Sequence, residues 1–84
     1  MEQNDVLVNG VYKHFKGKYY IVEGLATHSE TDEEYVVYRA LYGENRLFVR
    51  PKALFVDEVD HGKYPDASQK FRFELQSLGS AENE

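Results

Sequence analysis

Arginine, tyrosine and histidine are the side chains of this 84-residue sequence whose positions could form a binding site. Arg39 lies inside the most apolar stretch, EYVVYRALY at 34–42, and alternation predicts that it shares a face with Val37 and Leu41. Burying an unpaired guanidinium away from water has a high free-energy cost, so Arg39 must reach solvent, pair with a carboxylate or contact an anion. Two interpretations remain open: an internal ion pair with Glu23, and an arginine that faces a ligand.

Aromatic and basic residues are interleaved in two segments, 12–16 and 38–50. On an exposed sheet this combination stacks bases and neutralises phosphates, whereas in a small domain the same rings often only fill and cover the core. Seven Tyr against five Phe favours rings whose hydroxyls reach water, which is typical of a binding face. The residues that we predict to form a binding surface are Tyr12, His14, His28, Tyr38, Arg39, Tyr42 and Arg50.

Catalytic and metal sites are not predicted. The sequence contains no Cys, no phosphate-binding glycine loop, no serine-nucleophile elbow and no paired-histidine zinc motif. Its histidines, His14, His28 and His61, are too widely spaced for a local metal site, and His28 is expected to cap a strand end by donating to a loop carboxylate or carbonyl. The acidic residues cluster in loops rather than in the apolar cleft that a pair of catalytic carboxylates needs. We therefore expect no enzymatic activity, no cofactor and no metal ion.

Charge is distributed unevenly along the chain. The formal net charge is −5, but residues 10–76 contain all ten Lys and Arg and eleven of the fifteen acids, which leaves that segment at −1. Within it, basic residues cluster at 13–18 and 39–52, and acidic residues cluster at 30–34 and 57–60. Since the segment is nearly neutral and its signs are separated, an anionic partner is compatible with the sequence.

The elements that must position these side chains are predicted to be β-strands. Stretches rich in β-branched and aromatic residues occur at 10–17, 18–28, 34–42, 46–50, 55–59 and 70–75. Gly24 predicts a bulge or bend, and Gly43 and Asn45 predict a hairpin connection. Pro51 ends a strand and begins a single helical or 3₁₀ turn.

This order of elements predicts an all-β fold: a small SH3-like barrel of five to six mostly antiparallel strands with one short 3₁₀ turn. An OB-like barrel is less favoured, because no long helix separates the third and fourth strands. We predict one domain at 10–76, a flexible N-terminal tail at 1–9 and a flexible acidic C-terminal tail at 77–84. No apolar run approaches the roughly 20 residues of a membrane-spanning helix, and the N-terminus lacks signal-peptide features, so a cytoplasmic location is expected.

Several short strings identify a family resemblance. The strings HFKG at 14–17, ATHSET at 26–31, VYRALY at 37–42 and FVRP at 48–51 resemble the bacterial domain-of-unknown-function family 1653, over about residues 10–75. The resemblance implies a small bacterial protein with no assigned activity, and it transfers no catalytic residues. The family's signature positions coincide with six residues selected above: Tyr12, His14, His28, Tyr38, Arg39 and Arg50.

The function that these patterns favour is that of a non-catalytic binding module, which docks a peptide or protein on the predicted aromatic and basic surface. Two alternatives remain open. The same surface could bind single-stranded nucleic acid, or Arg39 and Arg50 could hold a small anionic metabolite. No membrane association is expected, and the chain is expected to be a monomer or a weak homodimer.

Overall fold

The computed structural model describes residues 5–77. They form five strands and one short helix, in the order β1 (Val11–His14), β2 (Tyr19–Thr27), β3 (Glu34–Ala40), β4 (Leu47–Pro51), α1 (Lys52–Phe55) and β5 (Phe73–Leu75). All five strands belong to one antiparallel sheet with the spatial order β4-β3-β2-β1-β5. The all-β prediction is therefore confirmed.

Local irregularities of the sheet occur where the glycine and asparagine positions predict them. The pairing of β2 with β3 shifts register between Val22 and Gly24, which is the predicted bulge. The β3–β4 connection turns through Gly43 at φ 58° and Asn45 at φ 56°, in the left-handed region that these residues tolerate. The Asn45 side chain also donates to the Ala40 carbonyl at 2.9 Å, which fixes this turn against the end of β3.

The predicted barrel and its 3₁₀ turn need correction. Among residues 5–77, β4 and β5 are the two edges of the sheet and do not pair, so the sheet does not close. β5 has only three residues, which is too short to continue the ladder from β1 around to β4. The turn after Pro51 is α-helical rather than 3₁₀, because the Val56 amide donates to the Lys52 carbonyl four residues earlier.

The core lies on one side of the sheet, which we call the inner face. Alternation along β3 places Val36, Tyr38 and Ala40 on this side, where they are buried, and sends Val37 and Arg39 to the opposite outer face. Helix α1 covers the inner face and inserts the buried Phe55 ring. That ring stacks on Phe73 of β5 with centroids 4.1 Å apart. The other residues of this core are Tyr12 and Val22.

The segment between α1 and β5 forms a short antiparallel pairing between its two ends before β5 joins the sheet. The Val59 amide donates to the Lys70 carbonyl at 2.8 Å, and the Arg72 amide donates to the Asp57 carbonyl at 3.0 Å. Arg72 also holds the Asp57 carboxylate with two hydrogen bonds, at 2.8 and 3.1 Å. This short antiparallel pairing explains why the sequence indicates five to six strands.

Residues at the N-terminal end of the described range contact the domain. Val6 packs against the core, the Leu7 amide donates to the Tyr12 hydroxyl at 2.9 Å, and the Asn9 amide donates to the Val22 carbonyl at 2.7 Å. The remaining parts of the two predicted tails, 1–4 and 78–84, lie outside the described residues. No helix between residues 5 and 77 has the length and hydrophobicity needed to cross a membrane.

Candidate functional site

Arg39 lies on the outer face and is paired with a carboxylate. Its Nε donates to Glu23 Oε2 at 2.6 Å, and its Nη1 donates to the Asn45 carbonyl at 2.9 Å. The hydrogen bond from Arg39 is the main reason why the pKa of Glu23 is lowered. The two side chains are 38% and 40% exposed, so this ion pair is solvated rather than internal. Arg39 is thus engaged with Glu23 and with the Asn45 carbonyl.

Arg50 lies on the inner face and is held differently. β4 pairs with β3 so that Arg50 is opposite the buried Val36 and points to the same side. Its Nε donates to the Tyr38 hydroxyl at 3.3 Å, and its guanidinium carbon lies 5.8 Å from the Phe73 ring centroid. No carboxylate from residues 5–77 lies within 4.0 Å of this guanidinium.

Tyr20 is the centre of the half-exposed rings beside Arg50. Its ring meets five neighbouring rings edge to face, with interplanar angles between 62° and 87°, and these neighbours are His14, Tyr38, Tyr42, Phe48 and Phe73. Its hydroxyl is 2.8 Å from the hydroxyl of Tyr42. Burial, followed by this hydrogen bond, raises the pKa of Tyr20, so the phenol remains neutral in the physiological range.

Two further cations lie over rings at the margin of this cluster. The Lys18 Nζ is 4.5 Å from the Tyr42 centroid, and the Arg46 guanidinium is 5.5 Å from the Phe48 centroid. Neither cation has a carboxylate partner among the residues that the structure describes. We call the resulting surface the cationic–aromatic face, and it consists of Lys18, Tyr20, Tyr42, Arg46, Phe48 and Arg50.

His14 borders the cationic–aromatic face and is neutral at neutral pH. Its ring meets Phe73 edge to face at 4.9 Å, and its Nδ1 accepts a hydrogen bond from the Lys16 amide at 3.1 Å. Burial, and then the positive charges of Arg72, Arg50 and Lys16, lower the pKa of His14 to about 4. The positive charges that add to the effect of burial on His14 are also favourable for an anion.

A shallow pocket continues this surface on the other side of His14. The His14 ring stacks on Phe15 with centroids 4.7 Å apart, and Phe15 meets Tyr64 at 5.0 Å. Phe15, Tyr64, Lys16 and Lys63 line a pocket of about 360 Å³ that Pro65, Asp66 and Ala67 complete. Sequence analysis did not assign the 63–67 side of this pocket, although Lys63-Tyr64 repeats the basic–aromatic pattern.

The structure separates the predicted site residues into three groups. Tyr12, His14, Tyr38 and Arg50 belong to the inner face, and Tyr42 joins them through the Tyr20 hydroxyl, although Tyr12 and Tyr38 are themselves buried. Arg39 lies on the outer face. His28 is at the end of β2 remote from Tyr20, where its Nδ1 accepts hydrogen bonds from the Glu30 and Thr31 amides rather than donating one.

Four residues that complete the cationic–aromatic face are not among the predicted binding residues: Lys18, Tyr20, Arg46 and Phe48. Of these, Arg46 and Phe48 belong to the interleaved segment 38–50, which is the sequence signal for them. Tyr20 is paired with Tyr12 in β1 and with Ala40 in β3, so it shares their inner face, and this register is not contained in the local sequence pattern. Between residues 5 and 77, no three His, Asp or Glu side chains are grouped to hold a metal ion.

Comparisons with known proteins agree with this fold. The family model described as a protein of unknown function, DUF1653, matches residues 10–75. The crystal structure of a DUF1653 protein from Bordetella bronchiseptica is similar, with 35% sequence identity and a TM-score of 0.70. That alignment covers 90% of this chain and 94% of the Bordetella chain. No curated protein matches the sequence.

Proposed function

This chain belongs to the DUF1653 family of proteins of unknown function, and we propose that it is a non-catalytic binding module that docks an acidic segment of a partner protein. The docking surface is the cationic–aromatic face. The identity of the family supplies no activity, so the proposal rests on the surface chemistry of the domain.

One observation carries this proposal: among residues 5–77, no carboxylate is paired with the cations of this face. Arg39, Lys52 and Arg72 each lie within 4.0 Å of a carboxylate oxygen. Arg46 and Arg50 lie over rings instead, and a ring orients a guanidinium without neutralising its charge. A guanidinium that is preoriented and uncompensated is suited to form charge-assisted hydrogen bonds with a ligand carboxylate.

The ring geometry favours an acidic peptide over single-stranded nucleic acid. Base stacking needs open ring faces, whereas the Tyr20 ring meets its five neighbours edge to face. The cation of Lys18 also covers the Tyr42 ring. Phosphate neutralisation is a second requirement, and the segment 10–76 carries a net charge of −1, which does not favour general binding to nucleic acid.

Other predictions from the sequence form part of this proposal. The strand order and the helical turn before β5 support an open variant of an SH3-like barrel. We further propose one domain over 10–76, a cytoplasmic location, and a monomer or weak homodimer. Size-exclusion chromatography with light scattering tests the oligomeric state directly.

Fluorescence anisotropy with two labelled peptides of equal length, one rich in glutamate and one rich in lysine, tests the proposed function. We expect only the glutamate peptide to bind, and we expect Arg50→Ala to weaken that binding about tenfold. Arg39→Ala is the matched control, because it removes the same charge from the outer face. It should change the affinity less than about twofold.

Three outcomes would contradict this proposal. The first is the absence of glutamate-peptide binding at low salt, and the second is an equal effect of Arg39→Ala and Arg50→Ala. The third is tighter binding of a labelled oligothymidylate than of the glutamate peptide, which would assign the face to single-stranded nucleic acid. Folding of each variant is checked by circular dichroism before its affinity is interpreted.

A further inference from the structure

The free edge of β4 exposes backbone hydrogen-bonding groups beside the cationic–aromatic face. The Ala40 amide donates to the Arg46 carbonyl at 2.9 Å, which places the backbone groups of alternate residues 46, 48 and 50 toward β3. The N–H and C=O groups of Leu47 and Val49 consequently point away from the sheet. β4 is the last strand on this side, and no described residue pairs with those groups.

The side chains of this edge strand form two rows of different chemistry. Arg46, Phe48 and Arg50 project on the inner face, and the two arginines have no described carboxylate partner. Leu47 and Val49 project on the outer face and are 49% and 63% exposed. An added strand would therefore meet positive charges on one of its sides and apolar groups on the other.

Pro51 determines where the usable edge ends. It is opposite Tyr35, in the same phase as Leu47 and Val49, so its backbone nitrogen also points toward the open edge. Proline has no N–H to offer there, and proline is tolerated on an edge strand for that reason. The edge therefore presents two outward-pointing backbone N–H donors, those of Leu47 and Val49, and this number suits a short extended segment.

We propose that β4 accepts an extended acidic segment of the partner protein as an additional strand of the sheet. Alternate acidic side chains of that segment pair with Arg46 and Arg50, while the intervening apolar side chains pack beside Leu47 and Val49. The inference rests on the proposed function, and it adds the binding mode and a period-two pattern of acidic and apolar residues to it.

Charge argues against a second copy of this chain as the occupant of the edge. The antiparallel register that pairs Leu47 of each copy with Val49 of the other places Arg46 of each copy opposite Arg50 of the other. Like charges directly opposite each other destabilise a strand pair. An acidic segment at the same edge gives opposite charges at both positions.

The test uses two labelled peptides of the same composition, one with alternating glutamate and valine and one with the glutamates and valines in separate blocks. We expect the alternating peptide to bind about tenfold more tightly. Val49→Pro removes one outward donor and should weaken binding of the alternating peptide about tenfold. Val49→Ala keeps that donor and is the matched control, with an expected change below about threefold.

Amide hydrogen exchange supplies a readout that needs no variant. We expect the alternating peptide to slow the exchange of the Leu47 and Val49 amides, because each becomes hydrogen-bonded. Equal binding of the two peptides, or unchanged exchange at both amides in the bound state, would overturn strand addition while the proposed function stands. Failure of both peptides to bind would contradict the proposed function itself. Concentration-dependent dimerisation that protects the same amides would assign the edge to a second copy.

Discussion

The two faces of the sheet each display an arginine, but only one of these arginines is satisfied by the protein. On the outer face Arg39 is paired with Glu23 at 2.6 Å and also holds the Asn45 carbonyl of the adjacent hairpin. On the inner face Arg50 has a tyrosine hydroxyl at 3.3 Å and a ring beside it, with no described carboxylate partner. Two residues of the same type therefore differ in what they can offer to a ligand.

The same contrast extends to every cation of the chain, since all ten Lys and Arg lie within the described residues. Three of them contact a carboxylate of residues 5–77. The other seven lie 4.5–5.9 Å from the centroid of an aromatic ring. An ion pair compensates much of the charge of its cation, whereas a ring does not, so the cations beside aromatic rings carry most of the uncompensated positive charge of this small domain.

The largest expected effect comes from removing the inner-face packing on which the site is built. Phe55 is 1% exposed and stacks on Phe73, so Phe55→Ala should lower the free energy of unfolding by about 3–5 kcal/mol. Leu54, its neighbour in α1, is 49% exposed, and Leu54→Ala should cost less than about 1 kcal/mol. Urea denaturation followed by circular dichroism measures both values. Similar losses for the two variants would show that α1 does not anchor the inner face.

Much of the difference between the faces is predictable from β3 alone. Strict alternation assigns Tyr38 and Arg39 to opposite sides of the sheet, and burial then identifies Tyr38 as the inner one. The predicted binding surface nevertheless included both residues, because the sequence pattern places them next to each other along the chain. Adjacency along a strand is a poor guide to a shared surface, since neighbouring side chains diverge.

Other features depend on register and strand length, which local patterns do not contain. The pairing of Arg39 with Glu23 is one of two interpretations that the sequence leaves open, and the structure places this pair on the exposed outer face. The barrel does not close because the alternating pattern at 70–75 yields only the three-residue strand Phe73–Leu75. Residues 70–72 pair instead with 57–59, and that long-range choice is decided by packing around Arg72 and Asp57.

A smaller effect should distinguish the inner face by its pH dependence. The pKa of His14 is about 4 in the folded protein, below the 6.5 of an unperturbed histidine. The unfolded chain therefore binds this proton first, and the free energy of unfolding should fall as the pH falls from about 6.5 toward 4. His14 is half-exposed and screened by solvent, so we expect a contribution of only about 1 kcal/mol.

The variant His14→Gln isolates this contribution from the carboxylates that titrate in the same range. Denaturation at pH 7 and pH 4.5 should show a smaller loss of stability for His14→Gln than for the parent chain. His61→Gln, in the exposed loop, is the matched control and should keep the parent's pH dependence. A pH dependence that His14→Gln leaves unchanged would mean that folding does not lower the pKa of His14.

The smallest expected effect concerns the hydroxyl that orients Arg50. Tyr38→Phe removes the acceptor of the Arg50 Nε bond while the buried ring keeps its packing. This 3.3 Å hydrogen bond at a partly buried site should contribute about 0.5 kcal/mol to the free energy of unfolding. Without it the Arg50 guanidinium is less well oriented, so the affinity for the glutamate peptide should fall about threefold. Tyr35→Phe is the matched control, because it removes a tyrosine hydroxyl from the outer face of the same strand. If both variants have similar stability and only Tyr38→Phe binds the peptide more weakly, Tyr38 positions Arg50 for the ligand. If the two variants bind with equal affinity, Tyr38 acts only as a core residue, and the Phe73 ring is the group that orients Arg50.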